Sequence, residues 1–106
     1  MRRRELGVGK VAMYMRVTRG RMDTSRYDEA VSALPDIVAS LRGLPGNQSY
    51  VTGLDRTSGR TMAVSTWGTE DHARLSSDAV PGLASRLQAV GLQVEATEIY
   101  ELAAPV

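Results

Sequence analysis

The sequence predicts a single domain of the α+β class, and three observations support this prediction. Four segments are rich in strand-forming residues and two longer segments carry apolar residues at helical spacing, in the order strand, helix, strand, strand, helix, strand. The chain has 106 residues, a length that suits one hydrophobic core. Its composition, 42% hydrophobic and 24% charged, is typical of a folded globular protein.

The strand predictions rest on alternation of side chains and on turn-forming residues between them. In the first strand, Met13, Met15 and Val17 share one face, while Ala12, Tyr14 and Arg16 share the other. Strict alternation in the last strand places Leu92, Val94 and Ala96 opposite Ile99. The predicted strands are Lys10–Met22, Asn47–Leu54, Thr61–Trp67 and Leu92–Ala103, with a hairpin turn over Asp55–Arg60 between the second and third.

The first predicted helix lies between Asp23 and Gly46, and Asp23, Thr24 or Ser25 can cap its start. Pro35 lies inside the pattern, which predicts a kink or two abutting helical pieces. One apolar stripe runs along this helix and consists of Tyr27, Ala30, Val31, Leu34, Ile37, Val38 and Leu41.

The second helical region, Gly68–Gly91, is predicted in two parts because Pro81 and Gly82 interrupt it. Thr69 is its predicted N-cap, with acidic residues directly behind it. The complete order matches the ferredoxin-like βαββαβ pattern, in which two helices cover one face of a four-stranded antiparallel sheet.

The predicted strands carry apolar residues on both faces, which a sheet with one solvated face does not need. Examples are Met62 and Val64 on one side of the third strand and Ala63 and Trp67 on the other. Since large exposed apolar patches usually mark an interface, we expect a homodimer in which two sheets face each other.

Charge and composition exclude several classes of partner. The formal net charge is +1, which argues against nucleic acid. The basic residues after Met1 predict a flexible tail over residues 1–9, followed by one domain over residues 10–106. No apolar run is long enough for a membrane span or a secretory signal, and cysteine is absent. These features predict a cytoplasmic protein with no membrane partner, and one histidine without any cysteine disfavours a metal site.

The order and spacing of several short motifs resemble the antibiotic biosynthesis monooxygenase group, whose members are dimeric α+β barrel proteins. The matching residues are Leu44-Pro45-Gly46 after the first helix, Tyr50, Trp67 and Thr69-Glu70-Asp71, within a likeness that spans Val11 to Leu102. The resemblance implies a pocket between helices and sheet that binds flat aromatic compounds, which some members oxygenate without metal or flavin.

Haem degradation, an activity of other members, is disfavoured here. Those members use a histidine about ten residues past the tryptophan and an asparagine on the first strand. Ser77 occupies the histidine position in this chain, and the first strand has no asparagine.

Trp67 and His72 are the sole tryptophan and histidine of the chain. Trp67 is either an anchor of the hydrophobic core or part of a pocket wall on which the ring of a ligand stacks, and the sequence favours neither interpretation over the other. His72 is predicted near the third helical position after Thr69, where a surface position is favoured over a general base.

The resemblance makes Trp67, Tyr50 and His72 the candidate catalytic residues, and Tyr14, Tyr50, Trp67 and Arg86 the candidate substrate-binding residues. The leading hypothesis is a cofactor-independent monooxygenase acting on an aromatic or polyketide-like compound. The alternative is a non-catalytic binding or stress-related protein of the same fold, because few groups in the chain titrate near neutral pH.

Overall fold

The computed structural model describes residues 13–75 and 79–103 and confirms the α+β architecture. The predicted tail over residues 1–9 and the Ser77 position lie outside the described residues. The elements are β1 (Tyr14–Met22), a 3-10 turn (Thr24–Arg26), α1 (Tyr27–Arg42), β2 (Asn47–Leu54), β3 (Arg60–Trp67), α2 (Glu70–Arg74), α3 (Leu83–Ala89) and β4 (Leu92–Glu101).

The four strands form one antiparallel sheet in the order β2-β3-β1-β4. Residues directly opposite in an antiparallel pair point to the same face, so the register defines rows of side chains across the sheet. One row is Tyr50, Ser65, Arg16 and Ile99; it belongs to the face under the helices, called the inner face here. The next row is Val51, Val64, Val17 and Glu98, on the outer face.

Helix α1 runs without interruption across Pro35, so of the two outcomes expected at this proline, a kink or two abutting helical pieces, the second is wrong. A proline removes one backbone hydrogen bond, but 16 residues and a buried stripe hold the helix together. Ala30, Ile37 and Leu41 of the predicted stripe are buried, whereas Val31 is 44% exposed. Asp23 caps the preceding 3-10 turn rather than α1, by accepting from the Ser25 backbone N–H at 3.0 Å.

A register shift in the β1–β4 pair changes the faces predicted for the last strand. Ile99 pairs with Arg16 and Leu92 pairs with Met22, so both lie on the inner face, while Ala96 pairs with Arg19 on the outer face. The shift between Arg19 and Gly20 inserts one extra residue into β4, which reverses the alternation beyond it. The prediction that Leu92 and Ile99 lie on opposite faces is therefore wrong.

The second helical region forms two short helices, α2 and α3, as predicted. The side-chain oxygen of Thr69 accepts a hydrogen bond from the His72 backbone N–H at 3.1 Å, which confirms Thr69 as the N-cap. Among the described residues, no helix is long and apolar enough to cross a membrane.

Candidate functional site

A cavity of about 110 Å³ lies between the inner face of the sheet and the helices. Its floor consists of short side chains on the two central strands, among them Thr18, Gly20 and Ala63. Because these side chains are short and the chain has no phenylalanine, the space below the helices is left open. Apolar side chains roof the cavity: Leu34, Ile37, Val38 and Leu41 of α1, Leu75, and Leu83 and Leu87 of α3.

At about 110 Å³ the cavity is smaller than the apolar cavity of roughly 150 Å³ that accepts benzene, so a single aromatic ring would extend into the adjoining space. A second, more open hollow of about 370 Å³ shares Arg16, Leu75 and Leu83 with it. A ligand larger than one ring therefore has space to extend past these three residues.

Tyr50 and Arg16 both line the cavity from the inner face of the sheet. They occupy the same row of the inner face, with the buried Ser65 of β3 between them. Their Cα atoms are thus two strand spacings apart, about 10 Å, a distance that both long side chains can bridge. Tyr50 is the one predicted site residue that the structure places on the wall of this cavity.

The electrostatics of this pair follow from burial. Burial raises the pKa of the Tyr50 phenol, and the positive charge of Arg16 opposes part of that rise. Burial also lowers the pKa of the Arg16 guanidinium, which the interaction with Tyr50 partly offsets. Tyr50 is therefore a hydrogen-bond donor near neutral pH rather than a base, and Arg16 remains a cation because arginine does not deprotonate in proteins.

The end of α2 holds Arg16 in place. Nη1 of Arg16 donates to the backbone oxygens of Ala73 and Arg74, at 2.9 and 2.8 Å. These carbonyls belong to the last turn of α2, where no further helical N–H is available to them. The helix stops at Leu75, which has a left-handed conformation with φ of 52°. This conformation is uncommon outside glycine and turns the chain sharply beside the cavity.

Trp67 lies in the core and not among the residues that line the cavity. It is 1% exposed, and its indole N–H donates to the Ser65 hydroxyl at 2.8 Å. Since that N–H is already paired inside the protein, it has no donor left for a ligand. The geometry favours the core interpretation of Trp67 over the pocket-wall interpretation.

His72 is exposed and lies outside the cavity wall. Its imidazole packs over Gly46, the glycine of the Leu44-Pro45-Gly46 motif, so closely that a Cβ at Gly46 would collide with it. Gly46 also has φ of 80° and accepts a hydrogen bond from the Gly68 N–H at 2.9 Å. The structure thus places the imidazole of His72 in contact with the turn that contains the Leu44-Pro45-Gly46 motif.

The other two predicted binding residues are also away from the cavity wall. Tyr14 pairs with Trp67 and Glu101 at the end of the sheet. Arg86 is exposed on α3. Among the described residues, no group of three or more His, Asp or Glu side chains is arranged to hold a metal ion.

Sequence reasoning missed Arg16 as a site residue, although a signal for it exists. Arg16 is a charged residue in the middle of an apolar strand, between Met15 and Val17. A charge at such a position has to meet a partner, a helix end or a cavity, because burial of an isolated charge is costly.

The fold resembles solved structures of antibiotic biosynthesis monooxygenases. A variant of SnoaB, a cofactor-independent oxygenase from Streptomyces nogalater, is 18% identical, and the match covers 89% of this chain and 96% of that chain with a TM-score of 0.67. A candidate antibiotic biosynthesis monooxygenase from Caulobacter crescentus is 16% identical, with 91% and 92% of the chains covered and a TM-score of 0.66. One from Nitrosomonas europaea is 13% identical, with 87% and 89% covered and a TM-score of 0.64.

These likenesses confirm, at the level of the fold, the resemblance that the sequence motifs indicate. No protein-family model and no curated protein matches the sequence.

Proposed function

We propose that this protein binds a small aromatic or polyketide-like compound in the cavity between helices and sheet, and oxygenates it without metal or flavin. The observation that carries the binding part is the cavity itself, which is mostly apolar and has the Arg16 guanidinium and the Tyr50 phenol on its wall. The likeness in fold to a cofactor-independent oxygenase supports the choice of chemistry.

In such a reaction the substrate supplies the electrons, because an ionised aromatic substrate can itself pass an electron to oxygen. The protein then has to hold the ring, stabilise its ionised form and exclude water. The leucines of α1 and α3 supply the apolar surroundings, while Arg16 stabilises negative charge. We therefore assign the charge-handling role to Arg16 rather than to Arg86, and keep Tyr50 as a substrate-orienting donor.

The experiment is a titration of purified protein with hydroxylated aromatic compounds, followed by calorimetry and by an oxygen electrode. We expect saturable binding together with oxygen uptake. Ala63→Leu fills the floor of the cavity and should weaken binding roughly tenfold or more, since overpacking leaves no room for the ring. Ala89→Leu, at an exposed position of α3 away from the cavity wall, is the matched control and should bind normally.

A non-catalytic binding or stress-related protein is the second candidate, and one observation favours it. Within the described part of the cavity wall, no histidine or carboxylate is present to remove a proton, and neither Arg16 nor Tyr50 is suited to that role. Saturable binding without oxygen uptake would support this second function. Oxygen uptake that is lost in Ala63→Leu but kept in Ala89→Leu would reject it.

We also propose that the protein is a homodimer that covers the outer face of the sheet. In the single chain, Val51 is 61% exposed, Met62 43% and Tyr100 46%, all on this face. Two ion pairs lie on the same side, Arg19–Glu98 at 3.5 Å and Arg21–Glu95 at 2.9 Å. A second copy would bury the apolar band in an interface of standard size, about 1,200–2,000 Å².

Sedimentation equilibrium at micromolar concentration is expected to give a mass of twice the 11.5 kDa chain. Val51→Lys places a charge in the proposed interface and should shift the protein toward monomer. Val31→Lys, at an exposed valine of α1, is the matched control and should leave the dimer intact. A wild-type monomer would contradict the proposed interface.

A further inference from the structure

The cavity carries one positive charge in surroundings that are otherwise uncharged. Of the described residues on its wall, Arg16 is the single charged one, and most of the others are leucine, isoleucine, valine, threonine or glycine. A cation that is partly buried among apolar groups is unfavourable unless dipoles or an anion compensate it.

Part of this compensation comes from the end of α2, through the two bonds from Nη1 to Ala73 and Arg74. Among residues 13–75 and 79–103, no carboxylate lies within salt-bridge distance of Arg16, and its Nε and Nη2 have no acceptor. An arginine has five N–H donors, so the three on the edge formed by Nε and Nη2 have no acceptor among the described residues and can pair with a ligand.

The guanidinium is held at a fixed position because Nη1 is tied to two carbonyls at once. Tyr50 approaches the same part of the cavity from β2, and its backbone oxygen is in turn held by Nη2 of Arg42 at 2.9 Å. The cavity thus has a polar end, with Arg16 and Tyr50, and an apolar part over Ala63, under the leucines of α1 and α3. Such a division fixes the direction in which an amphipathic ring can enter.

We propose that the cavity selects aromatic ligands that carry one ionised oxygen group, a phenolate or a carboxylate, which pairs with Arg16 and accepts a hydrogen bond from Tyr50. The ring then lies over Ala63, under the leucines of α1 and α3. This inference rests on the proposed function, because it requires the cavity to accept an aromatic ring. It adds that the ligand binds through an ionised phenolate or carboxylate oxygen, and that the cavity discriminates against neutral aromatic compounds.

The test compares three probes of nearly equal size by calorimetry: para-nitrophenolate, para-nitrobenzoate and the neutral nitrobenzene. The pH is set where the phenol is ionised and Tyr50 is still protonated. We expect at least one of the anions to bind about tenfold or more tightly than nitrobenzene, as is typical of charge-assisted hydrogen bonds. The comparison of the two anions shows which oxygen group the site takes. It needs no variant, so it does not depend on the folding of one.

Variants then assign the preference to Arg16. Arg16→Met keeps an apolar stem and should lower the ratio of anion to neutral affinity to about one. Tyr50→Phe should reduce the ratio severalfold while the bonds between Arg16 and α2 are kept. Arg86→Met removes an exposed arginine outside the cavity wall, and this matched control should leave the ratio unchanged. A purely structural role of Arg16 at α2 would alter all affinities together and leave the ratio as it is.

The outcomes separate this inference from the proposed function. Equal binding of all three probes, or an anion preference that survives in Arg16→Met, would overturn the inference while the aromatic pocket stands. Absence of binding by all three probes would overturn both. An anion preference lost in Arg16→Met and kept in Arg86→Met supports the proposal.

Discussion

Trp67→Ala is expected to lower the free energy of unfolding by about 3–5 kcal/mol, the range for truncation of a large buried aromatic residue. Trp67 is 1% exposed at the end of β3, and the surrounding core has no phenylalanine with which to fill the space. The measurement is denaturant unfolding followed by circular dichroism, because the substitution removes the single tryptophan of the chain and with it the fluorescence signal.

The hydrogen bond from Trp67 to Ser65 leads to a second prediction about the free energy of unfolding. Ser65 is 2% exposed, so either partner alone would be left unsatisfied in the core, at a cost of about 1–3 kcal/mol. Trp67→Phe and Ser65→Ala should therefore each destabilise the protein, and the double variant should cost less than their sum, with a coupling of about 0.5–3 kcal/mol. A Trp67→Ala protein that keeps its stability but loses ligand binding would instead support the pocket-wall interpretation.

Gly46→Ala is expected to destabilise the protein by about 1–3 kcal/mol, for two reasons that add. The backbone of Gly46 is left-handed, with φ of 80°, and a Cβ there would collide with the imidazole of His72. Because the imidazole belongs to an exposed side chain, His72→Ala in the same chain should recover part of the loss and leave the backbone strain.

Gly43→Ala is the matched control, three residues earlier in the same turn. Gly43 has φ of −80°, and its Cβ would meet nothing closer than 3.7 Å, so alanine fits without strain. We expect Gly43→Ala to be neutral or to stabilise the fold by up to about 1 kcal/mol through loss of freedom in the unfolded chain. Equal effects of the two substitutions in thermal unfolding would contradict the contact between His72 and the turn.

The fold could be predicted because its signals are local. Alternation of side chains between two faces predicted the strands, and apolar residues three and four positions apart predicted the helices. The position of Thr69 before two acidic residues predicted the N-cap. The prediction of two helical pieces at Pro35 was wrong because it considered the cost of a proline inside a helix without the burial of Ile37 and Leu41, which stabilises the continuous helix. The register shift in β4 could not be predicted from the sequence because a bulge depends on the partner strand as well as on the bulged strand.

The candidate site was harder to predict than the fold. Tyr50 was identified through its position in a motif, and the structure places it on the cavity wall. Arg16 was missed because its importance depends on the end of α2, 57 residues away in the sequence. Long-range contacts of this kind depend on tertiary packing. Strand periodicity therefore places Arg16 on one face of the sheet but does not indicate which residues it contacts there. The homodimer, the cytoplasmic location and the catalytic roles stay predictions.

The central claim is that the cavity over Ala63 is the ligand site, with Arg16 and Tyr50 at its polar end. Nuclear magnetic resonance of the labelled protein during titration with para-nitrophenolate tests it most directly. We predict saturable shifts concentrated in the methyl groups of Leu34, Ala63 and Leu87, which line the cavity. Shifts confined to the outer face of the sheet, or none at saturating ligand, would contradict it.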